Sequence, residues 1–347
     1  MKKKPLFTLI IFFIVSICLF IFVPPYSAFF KKVTGVSPIW FLLTEGSFKQ
    51  TDGKVNFLLL GKPDASYEGP NLTDSIMVAS LNLTNQKINL ISIPRDVWSE
   101  TLKDKINSAY AYGEAKKSGG GFLLAKAEIG AVVGQPIHHT ILVDFEEFKE
   151  LIDYLGGVDI RVEQSFEDFK YPIKGRENDL CDGDPEYQCR YENISFKKGW
   201  QHMTGDFALK FVRSRNAEGV EGSDFARNIR QQKVLTAIYE KTINKIKKLN
   251  LKELEEMYSL VDKVVKRDIP NMELAYIGKK VIFSKNIRIN QISLSEDFFI
   301  VPESRQYQGK YVLIPKDETF NLIHQYINCV FAEENTCNKF IPKESSR

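Results

Sequence analysis

Apolar and polar positions divide the chain into an uninterrupted run, a set of short alternating runs and a series of helical repeats. From Leu6 to Val23 there are eighteen residues without a charge. As a helix that run is roughly 27 Å long, close to the ~30 Å hydrocarbon core of a bilayer, and it predicts one transmembrane helix, an uncleaved signal anchor, with a cleaved signal peptide as the alternative. Short runs follow: VNFLLLG (55–61), DSIMVASLNL (74–83) and KINLISI (87–93) read as strands, the last two joined through Thr84, Asn85 and Gln86 as a hairpin. Extended segments recur at PIHHTILVDF (136–145), VDIRVE (158–163) and NIRINQISL (286–294). Helical spacing marks GGGFLLAKAEIGAVVG (119–134) and EEFKELIDYLGG (146–157), the latter closed by Gly156 and Gly157.

Thr204 is placed to cap a helix through GDFALKFV, and Asp224 a second from about 225 to 247. Further helices are expected near 251–265 and 271–284, with a strand and helix ending YVLIP…ETFNLIHQYINCVF. Residues 165–198 are polar and lack either period, which predicts a long loop. The order reads as a cytoplasmic tail (1–5), a signal anchor (6–23), a stalk (24–53), one α/β domain with helices around a central sheet (54–337) and a mobile tail (338–347).

Charge narrows the partners. The 47 basic and 44 acidic side chains leave +3, and without Lys2, Lys3 and Lys4 the count is 44 against 44. The body therefore has no general attraction for nucleic acid, and any anion site is local. Lysines before the apolar run put the tail in the cytoplasm and the domain outside, anchored to the cell membrane by a single pass. Of the five cysteines, Cys18 lies in the run, and Cys181 with Cys189 and Cys329 with Cys337 form close pairs. Such pairs in an oxidising exterior suit two short disulfides, with buried free thiols as the alternative.

One stretch departs from this balance: KFVRSRNAEGVEGSDFARNIRQQKVL (210–235) holds Arg213, Arg215, Arg227 and Arg230. On a helix Arg227, Arg230 and Gln231 share a face. Arg213 and Arg215 share one if the backbone there is extended. Arginine suits bidentate phosphate recognition. The plainer reading is a solvated basic surface paired with Glu218, Glu221 and Asp224. Asp64 and Asp74 flank a loop between the first two strands, as hard oxygen ligands for Mg2+ or simply as turn and cap residues. Arg95 and Asp96 follow a strand, with Lys105 and Asn107 close behind. His138 and His139 sit in a strand and read as structural.

In order, TDSIMVASLN, ISIPRD, KINSAYAYG, VDFEEFKELIDYLGGVDI, KKGWQHMTGDFALKFVRSR and DFARNIRQQKVL resemble the LytR-CpsA-Psr family of membrane-anchored cell-envelope proteins, over roughly residues 55–245. The resemblance implies a three-layer α/β/α domain with a central mixed sheet. It also implies a magnesium-dependent phosphotransferase that moves a glycopolymer from a polyprenyl pyrophosphate carrier to a peptidoglycan hydroxyl. By that pattern Asp64 and Asp74 hold Mg2+, while Arg95, Lys105, Arg213, Arg215, Arg227 and Gln231 contact the pyrophosphate. The chain departs from the pattern at Leu72, and at Ala65 and Ser66, where members commonly carry arginine. Two other functions suit the same residues: a non-catalytic scaffold or regulator that binds lipid-linked polyanions, and a pyrophosphatase with water as acceptor.

Overall fold

The computed structural model describes residues 24–63, 71–246, 248, 250–284, 287–294, 296–334 and 336–342. The tail and anchor expected over 1–23, Asp64 with Ala65 and Ser66, and residues 343–347 lie outside the described residues. No helix among the described residues is long and apolar enough to cross a membrane.

The strands are β1 (Lys54–Lys62), β2 (Ser75–Asn82), β3 (Lys87–Ser92), β4 (Trp98–Ser99), β5 (Asp104–Lys105), β6 (His139–Asp144), β7 (Val158–Val162), β8 (Phe166–Pro172), β9 (Tyr191–Phe196), β10 (Gly199–Met203), β11 (Lys266–Arg267) and β12 (Arg288–Ser293). The helices are α1 (Pro24–Thr34), α2 (Pro38–Leu43), α3 (Ala109–Lys116), α4 (Gly120–Val133), α5 (Phe145–Tyr154), α6 (Gly205–Arg213), α7 (Asp224–Ile246), α8 (Leu251–Val264), α9 (Asn271–Phe283) and α10 (Asn321–Ala332).

A six-stranded sheet in the order β11-β6-β1-β2-β3-β12 forms the centre. It is mixed: β1 and β6 run parallel, as do β3 and β12, while β1–β2, β2–β3 and β6–β11 are antiparallel. Alternation sets the faces. Leu58, Leu60, Ile76, Val78 and Ile91 bury on one side against α3, α4 and α10, each contributing on the order of 1.5–3 kcal/mol. Val55 and Leu81 bury on the other with Ile269 and Ile277. On that second side Gln232 of α7 donates from Nε2 to the carbonyls of Leu90 and Ile292 and to Ser92 Oγ, which pins α7 across the sheet.

A second core lies beside the sheet. The ribbons β7–β10 and β8–β9 enclose α6 and part of α7 around Phe166, Phe196 and Phe211. This corrects the loop expected at 165–198. Phe166, Asp168, Tyr171, Ile194 and Phe196 point inward as a hairpin does, and only the middle of the segment is irregular, tied by the Cys181–Cys189 disulfide. Cys329 and Cys337 are joined as well. Gly205 makes the α5–α6 crossing possible, since a Cβ there would collide with the Lys149 carbonyl oxygen. The 24–53 segment is folded against the body as α1 and α2. Phe29 stands edge-on to Tyr258, Phe41 packs on Tyr276, and Lys279 Nζ donates to the carbonyls of Phe41, Leu42 and Thr44.

Candidate anion-binding site

The register brings several strand ends to one edge of the sheet. Gly61 pairs with Ser75, Lys62 with Asp144, and Met77 with Ser92. The ends of β1, β3 and β6 and the start of β2 therefore face the same opening, the place where open α/β sheets present ligand-binding side chains. Asp74 stands just before β2, held there by Thr73, whose N–H and hydroxyl both donate to the Asn107 carbonyl. Arg95 follows β3 and donates from Nη1 to Asp74 Oδ1 at 2.5 Å. Its Nε lies 3.5 Å from Asp96 Oδ2. Lys105 at the end of β5 reaches the other oxygen of Asp96 at 2.6 Å. Burial opposes the charge on Arg95, but Asp74 and Asp96 more than offset it and hold its pKa above the ordinary value.

Helix α7 closes the opening. Gln231 accepts from Ser75 Oγ at 2.9 Å, tying the helix to the start of β2. Arg227 is 6% exposed. Its Nη1 pairs with Asp224 at 2.9 Å, yet its Nε is buried with no hydrogen-bond partner. Burial, and then the positive charges of Arg95 and Arg215, outweigh Asp224 and Asp74 and push the Arg227 pKa down. Arg227 is therefore a cation held where a cation is disfavoured, with an N–H left over.

Arg213 reaches the same edge by another route. It ends α6 with its guanidinium over the Phe145 ring, 4.5 Å from the centroid, and 5.8 Å from that of Tyr171. Phe145 directly follows Asp144, the partner of Lys62. Arg215 is exposed beyond it. Asp168 shapes that loop: fully buried, it accepts from Ser214 Oγ and from the backbone N–H groups of Arg215 and Asn216. Sequence reasoning missed Asp168, because in a segment read as loop an aspartate carries no signal. The alternation Phe166, Asp168 was the trace it left. Lys62 is buried at this edge too, with Nζ on Asn71 Oδ1 at 3.2 Å.

Arg230 is a correction to the grouping by helical spacing. Its guanidinium is turned into the second core: Nε donates to the Phe211 carbonyl, Nη2 to the Ser214 carbonyl, and Nη1 to the carbonyl and carboxylate of Glu221. It braces α6 and the 214–222 loop against α7. Gly222 allows that loop to close, since a Cβ there would overlap the Ala217 carbonyl oxygen. The opening thus gathers Asp74, Arg95, Asp96, Lys105, Arg215, Asp224 and Arg227, with Gln231 and Arg213 at its margin.

For a divalent cation the described residues offer Asp74, a hard carboxylate a third exposed, beside the guanidinium of Arg95. That donor chemistry fits Mg2+, which commonly takes one or two carboxylates and completes its shell with substrate oxygens and water. The grouping of potential metal ligands that does occur among the described residues, Asp179 with Cys181 and Cys189, has its two sulfurs joined to each other and offers no thiolate.

Over 191 residues the chain is 34% identical to the polyisoprenyl-teichoic acid–peptidoglycan teichoic acid transferase TagU of Bacillus mycoides (strain KBAB4), covering 54% of this chain and 52% of that one. Over 193 residues it is 28% identical to the TagV transferase of Bacillus subtilis (strain 168), covering 54% and 43%. The chain thus matches about half the length of these curated relatives. The fold aligns with the crystal structure of B. subtilis TagV at a TM-score of 0.55 and 23% identity, over 80% of this chain and 97% of that one. With the structure described as TagT bound to LI-WTA the TM-score is 0.55 at 18% identity, over 82% and 92%. Residues 32–326, from within α1 to within α10, match the sequence profile of the LytR_cpsA_psr family, and the chain belongs to that family.

Proposed function

We propose that the chain is a membrane-anchored phosphotransferase, its domain outside the cell, that moves a glycopolymer from a polyprenyl pyrophosphate carrier to a peptidoglycan hydroxyl. The observation that carries this reading is Arg227: a buried guanidinium crowded by Arg95 and Arg215, with an unpartnered Nε. A pyrophosphate diester brings two negative charges and acceptor oxygens to that point. It relieves the repulsion between the arginines and satisfies the orphaned N–H in one step. The relatives named as teichoic acid transferases support the same reaction class.

In the reaction the acceptor oxygen attacks the phosphorus that carries the glycan and loses its proton. The bond from that phosphorus to the bridging oxygen breaks, and polyprenyl phosphate leaves with the electron pair. Arg95 and Arg227, held by Asp74 and Asp224, are aimed where charge grows on the departing oxygens, and their fixed positions keep reorganisation small. Arg213, its Cζ over the Phe145 ring, orients the phosphates from the other side of the opening. Asp74, with Asp64, would hold Mg2+, which when bound supplies further charge neutralisation on the phosphate oxygens.

The test uses the full chain in nanodiscs with a short-chain lipid-linked pyrophosphoryl glycan, a peptidoglycan fragment and Mg2+, and reads glycan on the fragment by mass spectrometry. Release of free glycan phosphate instead would make the protein a hydrolase. Binding without turnover would leave it a scaffold.

A further inference from the structure

Next to Lys105 the surface opens into a cleft of about 340 Å3, lined by Trp98, Glu100, Lys103, Gln306, Tyr307 and Gln308. Its size lies at the lower end of small-molecule sites, which run from about 300 to 1,000 Å3. The cleft shares a wall with the anion site. Trp98 and Lys105 are direct partners across the β4–β5 ribbon, which sets their Cβ atoms roughly 4.5–5.5 Å apart on one face. The far wall is fastened to the same strand. Leu313 donates its N–H to the Asp96 carbonyl, and Trp98 donates to the Leu313 carbonyl, both at 2.9 Å. Lys310 Nζ binds Asp104 at 2.7 Å, and Lys105 Nζ lies 5.9 Å from the Tyr311 ring centroid.

The lining has the chemistry of a neutral polyhydroxy ligand. Tyr307, half-buried, stands edge-on to the buried Trp98, ring centroids 4.9 Å apart, so Trp98 backs the cleft and Tyr307 offers the aromatic surface able to meet an apolar C–H face. Trp98 Nε1 and Lys103 Nζ donate to the two oxygens of Glu100 at 2.9 and 2.6 Å, which fixes that carboxylate as an acceptor and cancels its charge. Gln308 caps the Ser304–Tyr307 turn in the left-handed region, at φ 60°. The side-chain amides of Gln306 and Gln308 are exposed and engage no other described residue, so each offers both donors and an acceptor. With Lys103 and Glu100 paired, no net charge remains to favour a phosphate here over at the neighbouring arginines.

We infer that this cleft is a saccharide subsite that holds a neutral pyranose unit of a glycan chain beside the anion site. The inference rests on the transferase reading for its place in the reaction. There both partners carry sugars, and the one seated in the cleft is either the acceptor glycan or the first sugar of the donor.

The test is equilibrium binding to the full chain in nanodiscs, followed by saturation-transfer NMR. One arm uses tetra-N-acetylchitotetraose, a neutral glycan, and the other N-acetylglucosamine 1-phosphate. Tyr307→Ala and Gln308→Ala, both on an exposed turn, are each expected to weaken the bound saccharide by about tenfold. Trp200→Phe, on the exposed side of β10, leaves it unchanged. Saturation by the neutral oligosaccharide assigns the cleft to the acceptor. Preferential binding of the sugar phosphate, still sensitive to Tyr307→Ala, assigns it to the donor. If neither probe binds at about 10 mM, a level that would detect even ~3 kcal/mol of affinity, or if binding ignores both variants, the inference is overturned. Because binding is read without turnover, loss of transfer with saccharide binding intact removes the transferase reading alone. Transfer without cleft binding removes the subsite alone.

Discussion

Replacing Arg227 with alanine separates a ligand-holding guanidinium from a structural one, because the geometry predicts little change in stability and a large change in turnover. On the stability side, the truncation removes two methylenes, Cγ and Cδ, from a buried position, worth about 0.8 kcal/mol each. It also abolishes a buried N–H that has no partner, and such a group costs about 1–3 kcal/mol. Asp224, the residue left behind, has a 57% exposed side chain and returns to water with little penalty. These terms nearly cancel, so unfolding free energy should change by no more than about 1 kcal/mol, a shift of a few degrees in Tm. On the activity side, an oriented cation aimed at developing charge is worth about 2.7–4 kcal/mol, a 10²–10³-fold fall in kcat. The assay pairs thermal unfolding with single-turnover transfer on the lipid-linked substrate. A variant that melts more than about 10 °C lower while transferring within threefold of wild type would mean that Arg227 braces the fold and that the anion sits elsewhere.

Arg230→Ala should behave in the reverse way. It strands Glu221 and the carbonyls of Phe211 and Ser214, so a loss of about 3–5 kcal/mol by urea titration is expected, with the folded fraction still active. Asp74→Asn should move the Mg2+ titration of transfer to at least about tenfold higher concentration, the effect of ~1.4 kcal/mol. An unchanged midpoint removes Asp74 from the metal. His138 and His139 both have pKa values pushed down by burial, so the unfolded chain takes up protons first as pH falls. The stability they confer is complete above pH ~6.5 and is lost as pH drops toward their folded values, at up to ~1.4 kcal/mol per pH unit for each. Urea midpoints at several pH values should show this slope, and His139→Gln should flatten it; an unaltered slope would assign the acid sensitivity to other groups.

Five strands of the central sheet were legible because each falls in a short run rich in apolar residues and bounded by turn residues, whereas the two-residue edge strand β11, Lys266–Arg267, carries no apolar signal and was not expected. The hairpin of β8 and β9 was not legible either. Its outward positions, Glu167, Phe169 and Lys170 among them, are exposed, its inward set includes the polar Asp168, and a register shift between Asp168 and Tyr171 breaks the alternation. Helices α1 and α2 escaped for a related reason. Their prolines read as punctuation, whereas Pro38 occupies the first turn of α2 behind the Ser37 cap, where its missing N–H costs nothing.

The site divides along the same line. That arginines from separate segments would meet was foreseeable, since a strand end and a helix start both expose their side chains to one sheet edge. Which arginines would meet was not. Arg227 and Arg230 lie three residues apart on one face of α7, and nothing in their spacing separates them. What separates them is the neighbour each finds: Arg230 lies beside Phe211 and the closed 214–222 loop, whose carbonyls need donors, while Arg227 lies beside Arg95 and Arg215, whose charges add to burial in disfavouring its own. Asp168 decides this from a distance. By gathering Ser214, Arg215 and Asn216 onto one buried carboxylate, it turns the carbonyl of Ser214 toward Arg230 and leaves the Arg215 side chain outside. A residue with no chemistry of its own to advertise thus sets which guanidinium is structural and which keeps an N–H without a partner. It follows that Asp168→Asn should impair transfer through the loop, and that its effect on stability should be non-additive with that of Arg230→Ala.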